Sequence, residues 1–103
     1  MKLYHYPGSP HCLKVRAVAY ELELELELVE VGILHGGSRA AAFLAALNPN
    51  GLVPVLVDGD FVLWESNAIL TYLAALRPER RLVPADPRLR ADVDRWLHWQ
   101  SAH

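Results

Sequence analysis

The stretch from Asn48 to Ala74, NPNGLVPVLVDGDFVLWESNAILTYLA, restricts the fold more than any other part of the chain. Val53, Val55 and Val57 alternate with Pro54 and Leu56 in an almost wholly apolar run, the pattern of a strand covered on both faces. Asp58-Gly59 follows, and glycine tolerates the positive φ that a type I′ hairpin turn demands. The return strand is expected over Asp60 to Trp64. Ile69, Tyr72, Leu73 and Leu76 then fall at i, i+3, i+4 and i+7, one apolar stripe of a helix. Strand, turn, strand and helix must therefore follow one another without a break.

Two places in this stretch suit chemistry. Pro54 has no N–H to give a sheet ladder, so the backbone at Val53-Pro54 belongs at an edge or a special bend, open to something other than a neighbouring strand. Ser66 stands where a helix N-cap belongs, and its hydroxyl and the free N–H groups behind it can cap the helix or hold a ligand carboxylate. Glu65 beside it can accept hydrogen bonds from an ammonium group, or only favour the helix dipole. A small peptide carrying both a carboxylate and an amine satisfies all of these features.

The rest of the composition removes other classes. At 103 residues the chain is long enough for one core and too short for two. Hydrophobic residues make up 52% and charged residues 21%, a globular balance. A formal charge of -2, with no basic cluster, gives no electrostatic reason to expect nucleic acid or a membrane surface. Lys2 is followed by Leu, Tyr, His, Tyr, Pro and Gly, not by the apolar core of a signal peptide, and no run reaches the length of a membrane span. A single cysteine forms no intrachain disulfide and fits a reducing, cytoplasmic setting. Cys12 with His5, His11 and His35 has no zinc spacing, so no metal is expected.

Read in order, Lys2 to Tyr6 is a first strand, broken by Pro7-Gly8. A helix follows from Ser9, with Val15, Val18, Ala19 and Leu22 as its stripe. Glu23 to Val31 alternates Glu and Leu. Both residues favour helices, but strict alternation favours a half-buried strand, expected from about Glu25, which can slip by two residues and keep its faces. Ser38 to Leu47 reads as a short helix stopped before Pro49, Arg77 to Ala85 as a linker, and Asp86-Pro87 as the cap and first residue of a last helix carrying Leu89, Val93, Trp96 and Leu97. The order is βαβα, ββα, linker, helix. An amphipathic last helix carrying Trp96, Leu97 and Trp99 is expected to dock on something, and we expect the front part of a longer protein.

Ser9-Pro10-His11-Cys12 lies between the first strand and first helix, where free N–H groups and the positive end of the helix favour a thiolate. The spacing is that of a thiol-redox C-x-x-C motif with serine first. A serine hydroxyl performs no disulfide exchange, but it can donate to the sulfur of a bound ligand. Taken alone, a residue placed like Ser9 is more often an N-cap, one like Cys12 a small buried hydrophobe and one like His11 a surface residue.

The runs YHYPGSPHCLKVRAVAYEL, GGSRAAAFLAALNPNGLVPVLVDGDFVLWESNAILTYLA and ADPRLRADVDRWLHWQ resemble the cytosolic glutathione transferases of the serine type, phi-, theta- or zeta-like, and VPVLVDGDFVLWESNAI is the most specific part. The resemblance implies an α/β fold: a thioredoxin-like βαβαββα domain with a mixed four-stranded sheet over residues 1–80, a linker at 81–85, and over 86–103 the first helix of an all-α domain. It implies that Pro54 follows a cis peptide and that the backbone of Val53 pairs with the cysteinyl unit of glutathione. It further implies that Glu65 and Ser66 hold the γ-glutamyl end, that Ser38 and Arg39 bind the glycine carboxylate, and that Ser9 hydrogen-bonds the thiolate. Two positions depart from the family pattern: Leu52 replaces a frequent polar contact, and Glu23 stands where many relatives have a helix-ending glycine.

The resemblance further implies glutathione as co-substrate, a small, hydrophobic electrophile as second substrate, and a cytoplasmic homodimer without nucleic acid, membrane or metal. Two alternatives stay open. One is a glutathione-dependent disulfide oxidoreductase using Cys12, and the other is a non-catalytic interaction module of the same fold.

Overall fold

Alternation along β1 (Lys2–His5) and β3 (Val55–Asp58) sets Leu3 opposite Leu56 on one sheet face and Tyr4 opposite Val55 on the other. The computed structural model describes residues 1–31 and 45–102. Its sheet adds β2 (Glu27–Glu30) parallel to β1 and β4 (Phe61–Trp64) antiparallel to β3, in the order β2-β1-β3-β4. The sheet is mixed and four-stranded, as expected. Among the described residues, helices α1 (Pro10–Glu21), α2 (Ser66–Leu76) and α3 (Pro87–Ala102) accompany it, with a 3₁₀ turn at Pro78–Arg80 in the stretch read as a linker from Arg77 to Ala85. Of the helix expected over Ser38 to Leu47, most lies outside the described residues, and residues 45–47 are helical.

The main core lies between the sheet and α1 and α2. Leu3, Val15, Ala19, Leu22, Leu56, Ile69, Leu70 and Leu73 form one buried cluster, and each fully buried Leu or Ile contributes about 1.5–3 kcal/mol. Val31 and Val55 with Tyr4, Leu47 and Val53 cluster on the opposite face, so the apolar run around Val55 is covered on both sides as its composition required.

Three boundaries differ from expectation. The hairpin pairs Asp58 with Phe61, so the turn residues are Gly59 and Asp60 rather than Asp58 and Gly59. Only Gly59 has positive φ (62°), which matches a II′ rather than a I′ turn. Asp58 is instead a strand residue whose carboxylate accepts the Tyr72 hydroxyl, tying the hairpin to α2. The first apolar strand starts at Val55, leaving Val53 in a bend and Pro54 just outside the ladder.

The Glu-Leu run becomes a strand only from Glu27, because α1 takes its first residues for a cap. Glu23 N–H donates to Tyr20 O (3.1 Å) and Leu24 N–H to Ala19 O (2.9 Å), a Schellman motif with Glu23 at φ 56°. That closure fixes where the chain leaves α1, and Glu27 N–H to Met1 O (3.0 Å) and Val31 N–H to His5 O (2.8 Å) then hold a single register.

The last helix begins at Pro87, as Asp86-Pro87 indicated. Leu97 packs against the main core, while Leu89, Trp96 and Trp99 are more than half exposed; the two indoles meet edge to face at 5.8 Å. No helix among the described residues is long and apolar enough to cross a membrane.

Candidate functional site

The loop before β3 is shaped by one buried side chain. Asn48 is 3% exposed; its Nδ2 donates to Leu52 O (2.8 Å), and its Oδ1 accepts the Asn50 N–H (2.9 Å) and Asn50 Nδ2 (3.1 Å). This Asx-type closure, with Gly51 at φ 64° and its N–H on Asn48 O, folds the loop back on itself. The chain then enters the cis Val53-Pro54 peptide expected from the family resemblance. Among the described residues the Val53 N–H and C=O make no hydrogen bond, so they remain open to a peptide-like ligand.

Across the cleft, β4 runs into α2 through Glu65, which adopts φ 79° and ψ 108°. Ser66 is not the N-cap that its position in the sequence suggested. It is the first helical residue, Glu65 is the cap, and among the described residues no side-chain cap bond closes this helix end. Positive φ at a non-glycine residue costs about 1–3 kcal/mol and persists where the surroundings impose it. The result is an open positive helix end with a buried serine hydroxyl beside it and a carboxylate at its rim.

Ser9 is the N-cap of α1, extended at φ -84° and ψ 122°, followed by Pro10 at the first helical position. Its Oγ accepts the Cys12 N–H at 3.3 Å, which leaves the hydroxyl proton to donate elsewhere. Cys12 is fully buried.

Val53, Pro54, Glu65 and Ser66 all line one cleft of about 210 Å³. Ser9 is half-buried and does not line it directly, but His11, two residues on, does. Ser38 and Arg39 lie outside the described residues. The cleft also contains Leu52, at the position where the family often has a polar contact, and Asn48, Asn50, Trp64 and Ser101, which sequence reasoning did not assign to it. The Asn48-Pro49-Asn50-Gly51 turn chemistry was a usable signal; Ser101 had none, because only the docking of α3 brings it there. His11 is half-buried in the cleft wall rather than a plain surface residue, and among the described residues its Nδ1 has no partner. A larger cleft of about 730 Å³ lies between α2, the linker and α3, lined by none of the candidate site residues.

One cation sits behind the site. Burial pushes the Lys14 ammonium below its usual pKa, and the Glu65 carboxylate opposes that shift. Among the described residues no group of three His, Cys, Asp or Glu side chains is placed to hold a metal.

A mixed sheet with a cis-proline loop facing an uncapped helix end across a peptide-sized cleft defines a thioredoxin-like α/β domain. The family described as "Glutathione S-transferase, N-terminal domain" matches residues 3–81. The chain is 45% identical over 96 residues to the glutathione S-transferase GstB of Escherichia coli, covering 91% of this chain and 46% of that protein. It is 41% identical over 105 residues to glutathione S-transferase 3 of Zea mays, covering 100% and 46% respectively. Among solved structures, a theta class glutathione S-transferase from Xanthomonas axonopodis pv. citri, with glutathione bound, superposes with a TM-score of 0.84 at 42% identity, over 97% of this chain and 47% of that one. The chain therefore belongs to the glutathione S-transferase family, and it spans about half the length of the curated relatives it matches.

Proposed function

We propose that the chain binds glutathione in the Val53–Ser66 cleft and activates its thiol for attack on an electrophilic, hydrophobic substrate. The observation that carries this is the convergence on one cleft of the Val53 backbone, unpaired among the described residues, and the uncapped start of α2 at Ser66. The first matches the amide of a cysteinyl unit, by the same main-chain pairing that lets a strand edge bind a peptide. The second matches the γ-glutamyl carboxylate, with Glu65 placed for its ammonium. Ser38 and Arg39 would take the glycine carboxylate.

Ser9 then has a stated task. Its hydroxyl proton donates to the sulfur and, with the N-terminus of α1, favours the thiolate over the thiol. The thiolate lone pair forms the new S–C bond as the electrophile releases its leaving group or accepts the electrons, and the thiol proton goes to solvent. Holding both reactants together supplies the remaining rate gain. The family resemblance supports residues 1–80 as the glutathione-binding unit and 86–103 as the start of a helical domain that completes the electrophile pocket. It also supports a homodimer working in the cytoplasm. The bound glutathione of the Xanthomonas relative supports the choice of ligand. The complete burial of Cys12 weighs against a mixed disulfide there.

Calorimetric titration with glutathione tests the reading, together with conjugation to a generic aryl halide. Ser66→Ala should weaken binding by about 10-fold or more, the usual loss for a hydrogen bond to a charged group. Because Ser66 caps nothing, stability should change by no more than about 0.5 kcal/mol. Absence of binding heat in the wild-type chain would leave only the interaction-module alternative.

A further inference from the structure

Asn67 follows Ser66 directly and is bonded in three directions. Its Nδ2 donates to Leu97 O at 3.0 Å and to Ser101 Oγ at 2.6 Å, and its Oδ1 accepts Lys14 Nζ at 2.8 Å. Lys14 Nζ also donates to Gln100 Oε1 at 2.5 Å. One amide and one ammonium thus join α1, α2 and the last turns of α3 at the rim of the cleft.

The apolar attachment of α3 is thin by comparison. None of its residues is buried, Leu97 is its contact with the main core, and Leu89 and Trp96 remain exposed. Ser101 is exposed near the end of α3, yet it lines the cleft with Glu65 and Ser66. Its place depends on the polar group that faces it. Because Ser101 Oγ accepts from Asn67, the serine keeps its own proton for another acceptor.

We propose that Asn67 is a positioning residue: with Lys14 behind it, it fixes Ser101 and the end of α3 as the wall of the cleft next to Glu65 and Ser66, and so sets affinity for the γ-glutamyl end of the ligand. The inference rests on the reading of the cleft as the glutathione site. A merely structural amide, docking α3 with no bearing on the ligand, would affect all ligands of the cleft alike. A wall confined to one end affects only ligands that reach that end.

Glutathione and cysteinylglycine, which lacks the γ-glutamyl unit, therefore separate the two roles. Their dissociation constants can be read by NMR titration on the 103-residue chain and on Asn67→Ala, Ser101→Ala and the double variant. We expect Asn67→Ala to weaken glutathione about 10-fold and cysteinylglycine less than about 2-fold, and Ser101→Ala to do the same to a smaller degree. The double variant should be no weaker than Asn67→Ala alone, since residues in one network are not additive. Should Asn67→Ala fail to fold, Ser101→Ala and Lys14→Met carry the test, with the same loss of preference for glutathione over cysteinylglycine expected. Equal losses for the two ligands, or strictly additive effects at Asn67 and Ser101, would overturn the inference and leave the functional reading intact. A wild-type chain that binds no glutathione at all overturns both.

Discussion

Ser9 Oγ accepts the Cys12 N–H at 3.3 Å, so a single side chain both caps α1 and keeps a free proton for the ligand. The two duties separate by substitution. Ser9→Ala removes an N-cap and should cost about 1 kcal/mol of stability, whereas Ser9→Gly should cost only a few tenths, because glycine is tolerated at this position. Both remove the donor. We therefore expect both variants to lose conjugation activity far more than glutathione affinity, and a rise of the bound thiol pKa read from thiolate absorbance. Activity that tracked the difference in stability between the two variants would assign Ser9 to capping alone.

Glu23 closes the Schellman motif at φ 56°, a conformation that costs a side-chain-bearing residue about 1 kcal/mol relative to glycine. Arg80 Nη2 lies 2.9 Å from its carboxylate, but the two side chains are 40% and 77% exposed, so solvent screening keeps that pair near the lower end of about 0–1 kcal/mol. The backbone term should win. Glu23→Gly is expected to stabilise the domain by roughly 0.5–1 kcal/mol in denaturant unfolding, and Arg80→Ala should change it by only a few tenths.

His5 gives a pH dependence. It is 6% exposed on β1, and among the described residues its Nδ1 has no hydrogen-bond partner. Burial, and after it the Arg16 guanidinium, push its pKa below the usual value, while Glu30 opposes them. The unfolded chain therefore binds this proton more readily than the folded one, and stability must fall as pH drops below about 6.5, the ordinary histidine value. The loss is complete once the pH is below the lowered folded value. Denaturation midpoints between pH 5 and 7.5 should show this slope, and His5→Asn should flatten it. An unchanged slope in that variant would assign the effect to another group.

Asn48 holds two backbone groups, Leu52 O and the Asn50 N–H, from a buried position. Replacing it by alanine leaves both without that partner, at a cost of about 1–3 kcal/mol. The same change frees the loop that delivers Val53. We expect Asn48→Ala to lower the melting temperature and to weaken glutathione binding by several-fold, whereas Asn50→Ala, which leaves Asn48 bonded to Leu52 O, should do much less on both counts.

The elements that local pattern encodes were legible in the chain itself. The Val55 strand, the α2 stripe of Ile69, Tyr72, Leu73 and Leu76, and the Pro87 start of α3 needed only periodicity and cap chemistry. The exact turn at Gly59-Asp60 and the late start of β2 were not legible. Each depends on a partner elsewhere: Asp58 on the Tyr72 hydroxyl, and the strand on the cap that takes Glu23 and Leu24. Ser66 shows the same limit, since the capping position passed to Glu65 through a backbone angle that residue type does not announce.

By itself the sequence determined which residues can carry chemistry, because hydroxyl, carboxylate and proline each bring a fixed set of donors, acceptors and forbidden bonds to Ser9, Glu65, Ser66 and Pro54. What only the tertiary structure decided is which of them meet. Val53 and Ser66 share a cleft because β3 and β4 pair in one register and α2 folds onto the sheet. Ser101 joins them because Asn67 and Lys14 hold a helix whose own apolar stripe is largely exposed. Such contacts link residues far apart in the chain, and their free energy comes from burial and hydrogen bonding that exist only after the chain has closed.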